Sequence, residues 1–438
     1  MKKRNFKELE RFEKELSQCM KCGFCTFFCP IYQETRLESG VARGKTVLIR
    51  ELKKGALDFT NEMATKINMC LLCRTCVVNC PAKAQTDEIV VAARADYVSN
   101  KGLPFLKNIL FKWIMPKRNL FGNIVKIASK FQWLLPKTKG KIRHLPDFLS
   151  ALGKGRNIPS ISHNFLRNQV PEVNKPPEGI QTKMKIGYFI GCATDFVYPE
   201  VGKAVINFLT HHGIEVFVPK AQGCCGVPIY MSGDFDTGRD LADKNIAAFP
   251  DDLEYIVTAC ATCSSGLKDY AKYLGDTEER KKRYEAFVKK VKDINEFLVD
   301  VLKLDLSEYK LKEEYKGKKL TWHDPCHLVR HQNIKEQPRT ILNALDGAEF
   351  VEMPNADRCC GMGGSFSIYY YDLSKKIAEH KAKGIEASNA DIVVTSCPGC
   401  MIQLTDITMQ HEMDKPVVHI MELLDWEKKE EKKEEKKE

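Results

Sequence analysis

Cys19, Cys22, Cys25 and Cys29, followed by Pro30, form C-x2-C-x2-C-x3-C-P, and Cys70, Cys73, Cys76 and Cys80, followed by Pro81, form it again. Few sequence features constrain a chain more tightly. This is the bacterial spacing for holding two [4Fe–4S] cubanes: three thiolates wrap one corner of a cubane, and the fourth reaches across to its neighbour. The motif therefore assigns Cys19, Cys22, Cys25 and Cys80 to one cluster, and Cys70, Cys73, Cys76 and Cys29 to the other. Structural zinc also uses C-x2-C pairs, but zinc needs four ligands and no trailing Cys-Pro. The start of the chain reads as a wire for single electrons.

The rest of the chain is long, and it repeats. With 438 residues the length prior gives about three domains. The forty residues between the two motifs include VARGKTVLIRELKKG, where Val47, Leu48 and Leu52 keep helical spacing, so the first domain is expected to be helical. PEVNKPPEGIQTK (171–183) reads as a linker. Beyond it, MKIGYFIGC (184–192) matches KKLTWHDPC (318–326), GIEVFVPKAQGCCG (213–226) matches GAEFVEMPNADRCCG (347–361), and LEYIVTACATC (253–263) matches ADIVVTSCPGC (390–400). Paired cysteines are offset by 134, 135 and 137 residues, which marks one duplicated unit with small insertions. β-Branched runs alternate with helix-like stretches, giving a βαβαβ pattern and a mostly parallel sheet in each unit.

In open α/β sheets, ligands gather beyond the carboxyl ends of the strands, where these cysteines fall. Each unit should bring five thiols together from three loops: Cys192, Cys224, Cys225, Cys260 and Cys263 in the first, and Cys326, Cys359, Cys360, Cys397 and Cys400 in the second. Five thiols exceed the needs of one tetrahedral zinc or one cubane.

Those two units, C-x31-CC-x34-C-x2-C and C-x32-CC-x36-C-x2-C, resemble the cysteine-rich CCG domain. Two CCG domains behind a two-cubane ferredoxin domain resemble the fused catalytic subunit of heterodisulfide reductase (HdrD-like). They also resemble the iron–sulfur subunits of glycolate oxidase, D-lactate dehydrogenase and anaerobic glycerol-3-phosphate dehydrogenase. All eighteen cysteines fall in motif positions. The resemblance implies an α + α/β fold class: an N-terminal α-helical ferredoxin domain with two [4Fe–4S] clusters, followed by two tandem duplicated α/β CCG domains. The expected boundaries are 1–100 for the ferredoxin domain, 101–183 for a basic connector and linker, 184–310 and 318–426 for the CCG domains, and 427–438 for a charged disordered tail.

The resemblance implies two functions. ARGKTVLIRELKKG and CLLCRTCVVNCP read like the glycolate/lactate branch, in which such a subunit passes electrons between a separate FAD-containing 2-hydroxyacid dehydrogenase and a downstream acceptor such as the quinone pool. The complete CCG motifs resemble the heterodisulfide reductase branch, where each motif holds a noncubane [4Fe–4S] cluster and a disulfide is split between the two. In some relatives one CCG site holds zinc. On either branch the chain is expected to act as the iron–sulfur subunit of an oxidoreductase complex, with a flavoprotein partner and a membrane cytochrome or quinone-linked partner. His323 and His327, in WHDPCHLVRH around Cys326, are candidates for delivering protons near neutral pH, or else for second-sphere support of a ligand cysteine. No G-x-G-x-x-G follows a strand, and GMGGS (361–365) lacks the Lys of a phosphate loop, so no FAD or NAD site is expected in this chain. A non-enzymatic, zinc-filled scaffold is disfavoured by the ferredoxin motifs.

Charge is unevenly spread. The net charge is +10, and residues 101–143 hold eleven Lys or Arg and no acid, interleaved with Phe105, Leu106, Ile109, Leu110, Trp113, Ile114, Phe121, Phe131 and Trp133. This stretch is read either as short helices packed on the protein's own core or docked on a partner, or as a contact with an anionic membrane surface. Nucleic acid is not expected, because no recognition motif accompanies the charge. The N-terminus has no apolar signal region, and no run of about 18 apolar residues is present. The expected location is the cytoplasm, with peripheral contact at the cytoplasmic membrane face. The E-K-K-E tail puts like charges at i,i+4 and should stay solvated.

Overall fold

The computed structural model describes residues 6–139, 142–145 and 155–428. All but the first two residues of the charged tail lie outside these, so the expectation of disorder there does too. From residue 6 to 136 the described chain is built of helices and turns without a strand. Both cysteine motifs lie in loops that lead into one-turn helices, Cys25–Phe28 and Thr75–Val78. The expected helix over VARGKTVLIRELKKG is present as Ala42–Lys53, and it buries Ile49 and Leu52.

The helix Thr86–Lys101 is the axis of this region. It carries Asp87 and Glu88 in its first turn and Lys101 in its last, the polarity that suits a helix dipole. Every residue from Thr86 to Asp96 is buried, so the helix is enclosed on all sides rather than amphipathic.

Each cysteine-rich repeat folds as a parallel sheet with crossover helices. In the first, strands β1 (Val173–Asn174), β2 (Met184–Tyr188), β3 (Ile214–Phe217), β4 (Tyr255–Thr258) and β5 (Val291–Asp293) run in the order β1-β3-β2-β4-β5. In the second, β6 (Lys319–Trp322), β7 (Glu349–Phe350), β8 (Ile392–Thr395) and β9 (Val417–His419) run in the order β7-β6-β8-β9. All neighbours are parallel except β1, which pairs antiparallel with β3. Apart from β1 the two sheets have the same topology, as the internal repeat requires. The linker expected over 171–183 is therefore partly sheet: Val173 and Asn174 close the edge of the first repeat, and Asn174 donates to the Val216 carbonyl at 3.1 Å.

The segment between the repeats is also structured. Tyr309–Leu311 pairs antiparallel with Leu424–Lys428 from the end of the described chain. One continuous core cluster runs from Leu9 and Phe12 through Ile89–Ala93 into both sheets and on to Leu424. The ferredoxin-like region and the two repeats thus share a hydrophobic interior.

The basic segment does not bury its apolar side chains as own-core packing requires. Phe105, Leu106, Leu110, Trp113, Phe131 and Trp133 are exposed, while Phe111 and Met115 are buried. Arg118 anchors the segment: its guanidinium bonds to the carboxylate of Asp195 and lies 4.3 Å from the Phe196 ring centroid.

Candidate metal centre

The two cysteine loops of the helical region adopt the same conformation. The residue before the second cysteine, Lys21 or Leu72, and the residue after it, Gly23 or Arg74, all have positive φ, at 59°, 53°, 85° and 59°. Three of these four are not glycine. Such left-handed residues are costly unless the surroundings hold them, and they bend the chain so that successive thiols face one point.

Two hollows result. Cys19, Cys22, Cys25 and Cys80 line one, and Cys29, Cys70, Cys73 and Cys76 line the other, with Cys76 also bordering the first. The motif-derived crossed sets are therefore the sets that meet in space. Lys45, 2% exposed, borders the second hollow. Its ammonium donates to the Gly40 carbonyl, and burial lowers its pKa against the pull of Cys70 and Cys29. Burial in turn pushes the Cys29 thiol up to about 12. A buried cation of this kind offsets the charge that thiolates acquire on metal binding.

In both repeats the cysteines lie in the segments that follow the carboxyl ends of β2, β3 and β4, or of β6, β7 and β8. Within the first, Cys192 contacts Cys224, Cys225 contacts Cys263, and Cys260 contacts Cys263. Within the second, Cys326 contacts Cys359, Cys397 contacts Cys400, and the Cys360 and Cys400 sulfurs are 3.7 Å apart. The backbone repeats as well: Gly226 N donates to Cys224 Sγ at 3.4 Å, and Gly361 N donates to Cys359 Sγ at 3.4 Å. The second thiol of each pair, Cys225 and Cys360, is held low first by its neighbour's hydrogen bond. None of the eighteen cysteines is in a disulfide. Buried thiols converging on one another, with little other polar company, are a donor set suited to iron–sulfur ligation.

The centres are joined by thiol contacts. Cys73, of the helical region, touches Cys359 of the second repeat, and that contact, ahead of burial, pushes the Cys73 thiol up. Cys397 of the second repeat touches Cys260 of the first, and Thr262 Oγ1 lies 3.3 Å from Cys397 Sγ. Ala261 N donates across the same seam to the Ser396 carbonyl at 3.2 Å.

The histidine-rich WHDPCHLVRH stretch is a junction. Arg330 Nε donates to the Cys73 carbonyl at 2.7 Å, and its guanidinium also bonds the Asp357 carbonyl at 2.6 Å. His331 Nε2 lies 3.0 Å from the Leu72 carbonyl, and His327 Nδ1 lies 3.0 Å from Ser265 Oγ of the first repeat. The two rings stack with centroids 4.2 Å apart. Burial pushes His327 down to about 4 and His323 down to about 3. Burial thus favours the uncharged imidazole at both positions. Asp324 is spent on Arg339 and the Trp322 indole. Arg330, Lys45 and Lys381, the last buried beside Cys359 and Cys360 with its ammonium donating to the Asn355 and Ala356 carbonyls at 2.8 and 2.9 Å, are the residues that sequence reasoning missed. Arg330 lies four residues after Cys326, a spacing that puts it on the same helix face as that cysteine.

Family profiles match two parts of the chain: a 4Fe-4S dicluster domain over residues 15–84, and a cysteine-rich domain, CCG, over residues 186–268 and 320–405. The probable glycolate oxidase iron-sulfur subunit of Bacillus subtilis is 30% identical over 90% of this chain and 89% of its own length. A fumarate reductase (CoM/CoB) subunit of Methanothermobacter marburgensis is 28% identical over 94% of this chain and 72% of its own. Among solved structures, a hypothetical protein from Helicobacter pylori shares the fold, with a TM-score of 0.52 at 10% identity, over 95% of this chain and 74% of that one. Paired cubane loops, two five-thiol sheets and a full-length relative at this identity converge: the chain belongs to the CCG-domain iron–sulfur oxidoreductase superfamily.

Proposed function

We propose that this chain is the iron–sulfur electron-transfer subunit of a multi-subunit oxidoreductase, passing electrons between an FAD-dependent 2-hydroxyacid dehydrogenase of the glycolate/lactate type and a downstream acceptor such as the quinone pool. The observation that carries this reading is the contact of Cys73 with Cys359, which packs the helical region against the second repeat in one buried cluster. Iron–sulfur clusters, when bound, supply one-electron carriers whose potential follows local charge, hydrogen bonding and solvent access. Cys19, Cys22, Cys25 and Cys80 would hold one cubane, and Cys29, Cys70, Cys73 and Cys76 the other. The ten CCG cysteines would hold two further groups. Lys45 and Arg330 supply positive charge beside the thiols, and eight of the ten CCG cysteines are buried.

Metal and sulfide analysis of anaerobically purified protein tests the cofactor content. About sixteen irons per chain are expected for four clusters, and about eight, with or without zinc, would restrict the clusters to the helical region. Adding a 2-hydroxyacid and the partner flavoprotein should then bleach the cluster absorbance. Protein that stays oxidised under those conditions would sink the assignment.

A second reading, a heterodisulfide reductase-like catalytic subunit, is favoured by the facing of Cys260 and Cys397 across the seam between two complete five-cysteine sets. Oxidation of the reduced protein by a mixed thiol disulfide, with no hydroxyacid response, is the outcome it requires.

The basic segment supports peripheral attachment to a membrane. No described helix is long and apolar enough to cross one. However, the helix Arg118–Phe131 turns Leu120, Ile124, Ile127 and Phe131 outward along one stripe, flanked by exposed Lys126 and Lys130. Apolar side chains with a cationic border suit an anionic lipid surface, at about 1 kcal/mol per Lys. The protein should float with vesicles containing acidic phospholipid. A Lys112→Glu, Lys117→Glu, Lys126→Glu, Lys130→Glu variant should stay at the bottom of the gradient, and equal flotation of both would remove the membrane from the account.

A further inference from the structure

We infer that His323 supplies a nitrogen ligand, beside Cys360 and Cys400, to the metal group of the second repeat, so that the two repeats carry unlike metal sites. This rests on the proposal that the second repeat binds metal.

His323 follows directly on β6 and is 1% exposed. Its backbone is locked at both ends: its N–H donates to the Val394 carbonyl at 2.9 Å, and its carbonyl accepts from Thr395 Oγ1 at 3.2 Å. The side chain is therefore aimed by the sheet. Neither ring nitrogen has a hydrogen-bond partner. A buried imidazole carries one N–H and one lone pair, and each left unmade costs about 1–3 kcal/mol. The other buried histidines of this region do not bear that cost, since His327 meets Ser265, His331 meets the Leu72 carbonyl and His419 meets the Ala259 carbonyl.

What His323 faces is sulfur. One of its ring nitrogens, Cys360 Sγ and Cys400 Sγ lie within 4.8 Å of one another. Among the described residues no other three donors from His, Cys, Asp and Glu gather so closely. The two sulfurs are 3.7 Å apart. Two thiolates on one tetrahedral ion, each at about 2.3 Å, lie about 3.8 Å from each other. The trio thus has the span of ligands on a single metal ion, with the imidazole in the place of a third thiolate.

The first repeat lacks this donor. Its residue three positions before the first cysteine is Phe189, buried and apolar, where the second repeat has His323. The two sheets share their strand order here, so at this position the difference falls on ligand type: thiolates alone in the first repeat, thiolates with an imidazole in the second.

The test uses the full chain, purified anaerobically, as wild type and as His323→Phe, His323→Gln and His323→Cys. Each is scored for iron, zinc and sulfide per chain, for melting temperature, and for the EPR signals of the cubanes. His323→Phe copies the first repeat, His323→Gln keeps a hydrogen-bond donor but is a poor ligand, and His323→Cys restores a ligand. The expected result is that Phe and Gln each lose the metal of the second repeat, about a quarter of the iron for a four-cluster protein or the zinc for a mixed one, while the cubane signals persist and Cys recovers the metal. Wild-type metal content in His323→Gln would overturn the inference in favour of a hydrogen-bond role. Retention in His323→Phe as well would leave His323 as packing. If Phe fails to fold, the contrast between Gln and Cys decides. A Cys360→Ser, Cys400→Ser protein that keeps all wild-type metal would instead sink the reading that the second repeat binds metal at all.

Discussion

Cys29→Ser is expected to remove or convert the cluster bordered by Cys70, Cys73 and Cys76, and to leave the one bordered by its own sequence neighbours intact. Cys29 ends the first motif, yet it lines the hollow of the second, where its thiol is coupled to Cys73 and Cys70. Cys80 is the reciprocal case. Serine is a weaker ligand of similar size, so the loss falls on the metal and not on the packing. The effect should be all-or-none at one site: one of two cubane EPR signals disappears, or is replaced by that of a three-iron cluster, with up to four irons lost per chain. Because that site abuts Cys359, electron transfer into the second repeat should fail while the first cubane still reduces. Loss of the signal belonging to Cys19, Cys22 and Cys25 would refute the crossed arrangement.

Gly233→Ala should damage the fold severely, because at this position a left-handed backbone and a backbone obstacle coincide. Gly233 has φ +101°, and a β-carbon there would lie 2.3 Å from the Arg94 carbonyl oxygen and 2.5 Å from its carbon. Both obstacles are backbone of the enclosed helix Thr86–Lys101, which cannot swing aside as a side chain does. The same contact is held by the buried Arg94 guanidinium, which donates to the Met231 carbonyl at 2.9 Å and to the carbonyls of Ile67, Asn68 and Cys70 at 3.0–3.4 Å. Separating helix and loop would break the Met231 bond and disturb the Cys70 loop together. Left-handed strain and overpacking sum to about 2–5 kcal/mol. A melting temperature several degrees lower, with iron lost from the Cys70 site first, is the expected result. A variant with wild-type melting and full iron would show that the seam between helix and first repeat is loose.

The candidate ligands could be named from sequence because metal chemistry is written locally. A cubane loop needs thiols at fixed short spacing, and the duplicated CCG units announce themselves by matching strands and offsets. The alternation of β-branched runs with helical stretches in each repeat followed from the same local grammar, and the observed order β3-β2-β4-β5 against β7-β6-β8-β9 bears it out. What escaped were properties of surfaces meeting across the fold. Nothing in the sequence of Cys73 says that it will face Cys359 rather than a cysteine of the first repeat. Lys45 and Lys381 look like surface lysines until the thiols beside them are in place. Burial, invisible in WHDPCHLVRH, sets His327 against Ser265 of the first repeat. Val173 and Asn174 read as linker because an edge strand of two residues carries no periodicity to detect.

The interior shared between the helical region and both sheets has a kinetic corollary. Many electron carriers deliver charge by swinging a tethered head between docking stations, and their turnover slows as solvent thickens. Here residues Thr86–Asp96 of the central helix are buried and Arg94 ties that helix to the Met231 loop of the first repeat, so the thiols on either side of this packing are expected to keep their separation. Electron hops within the described residues should then be set by distance and driving force, and should not slow as viscosity rises.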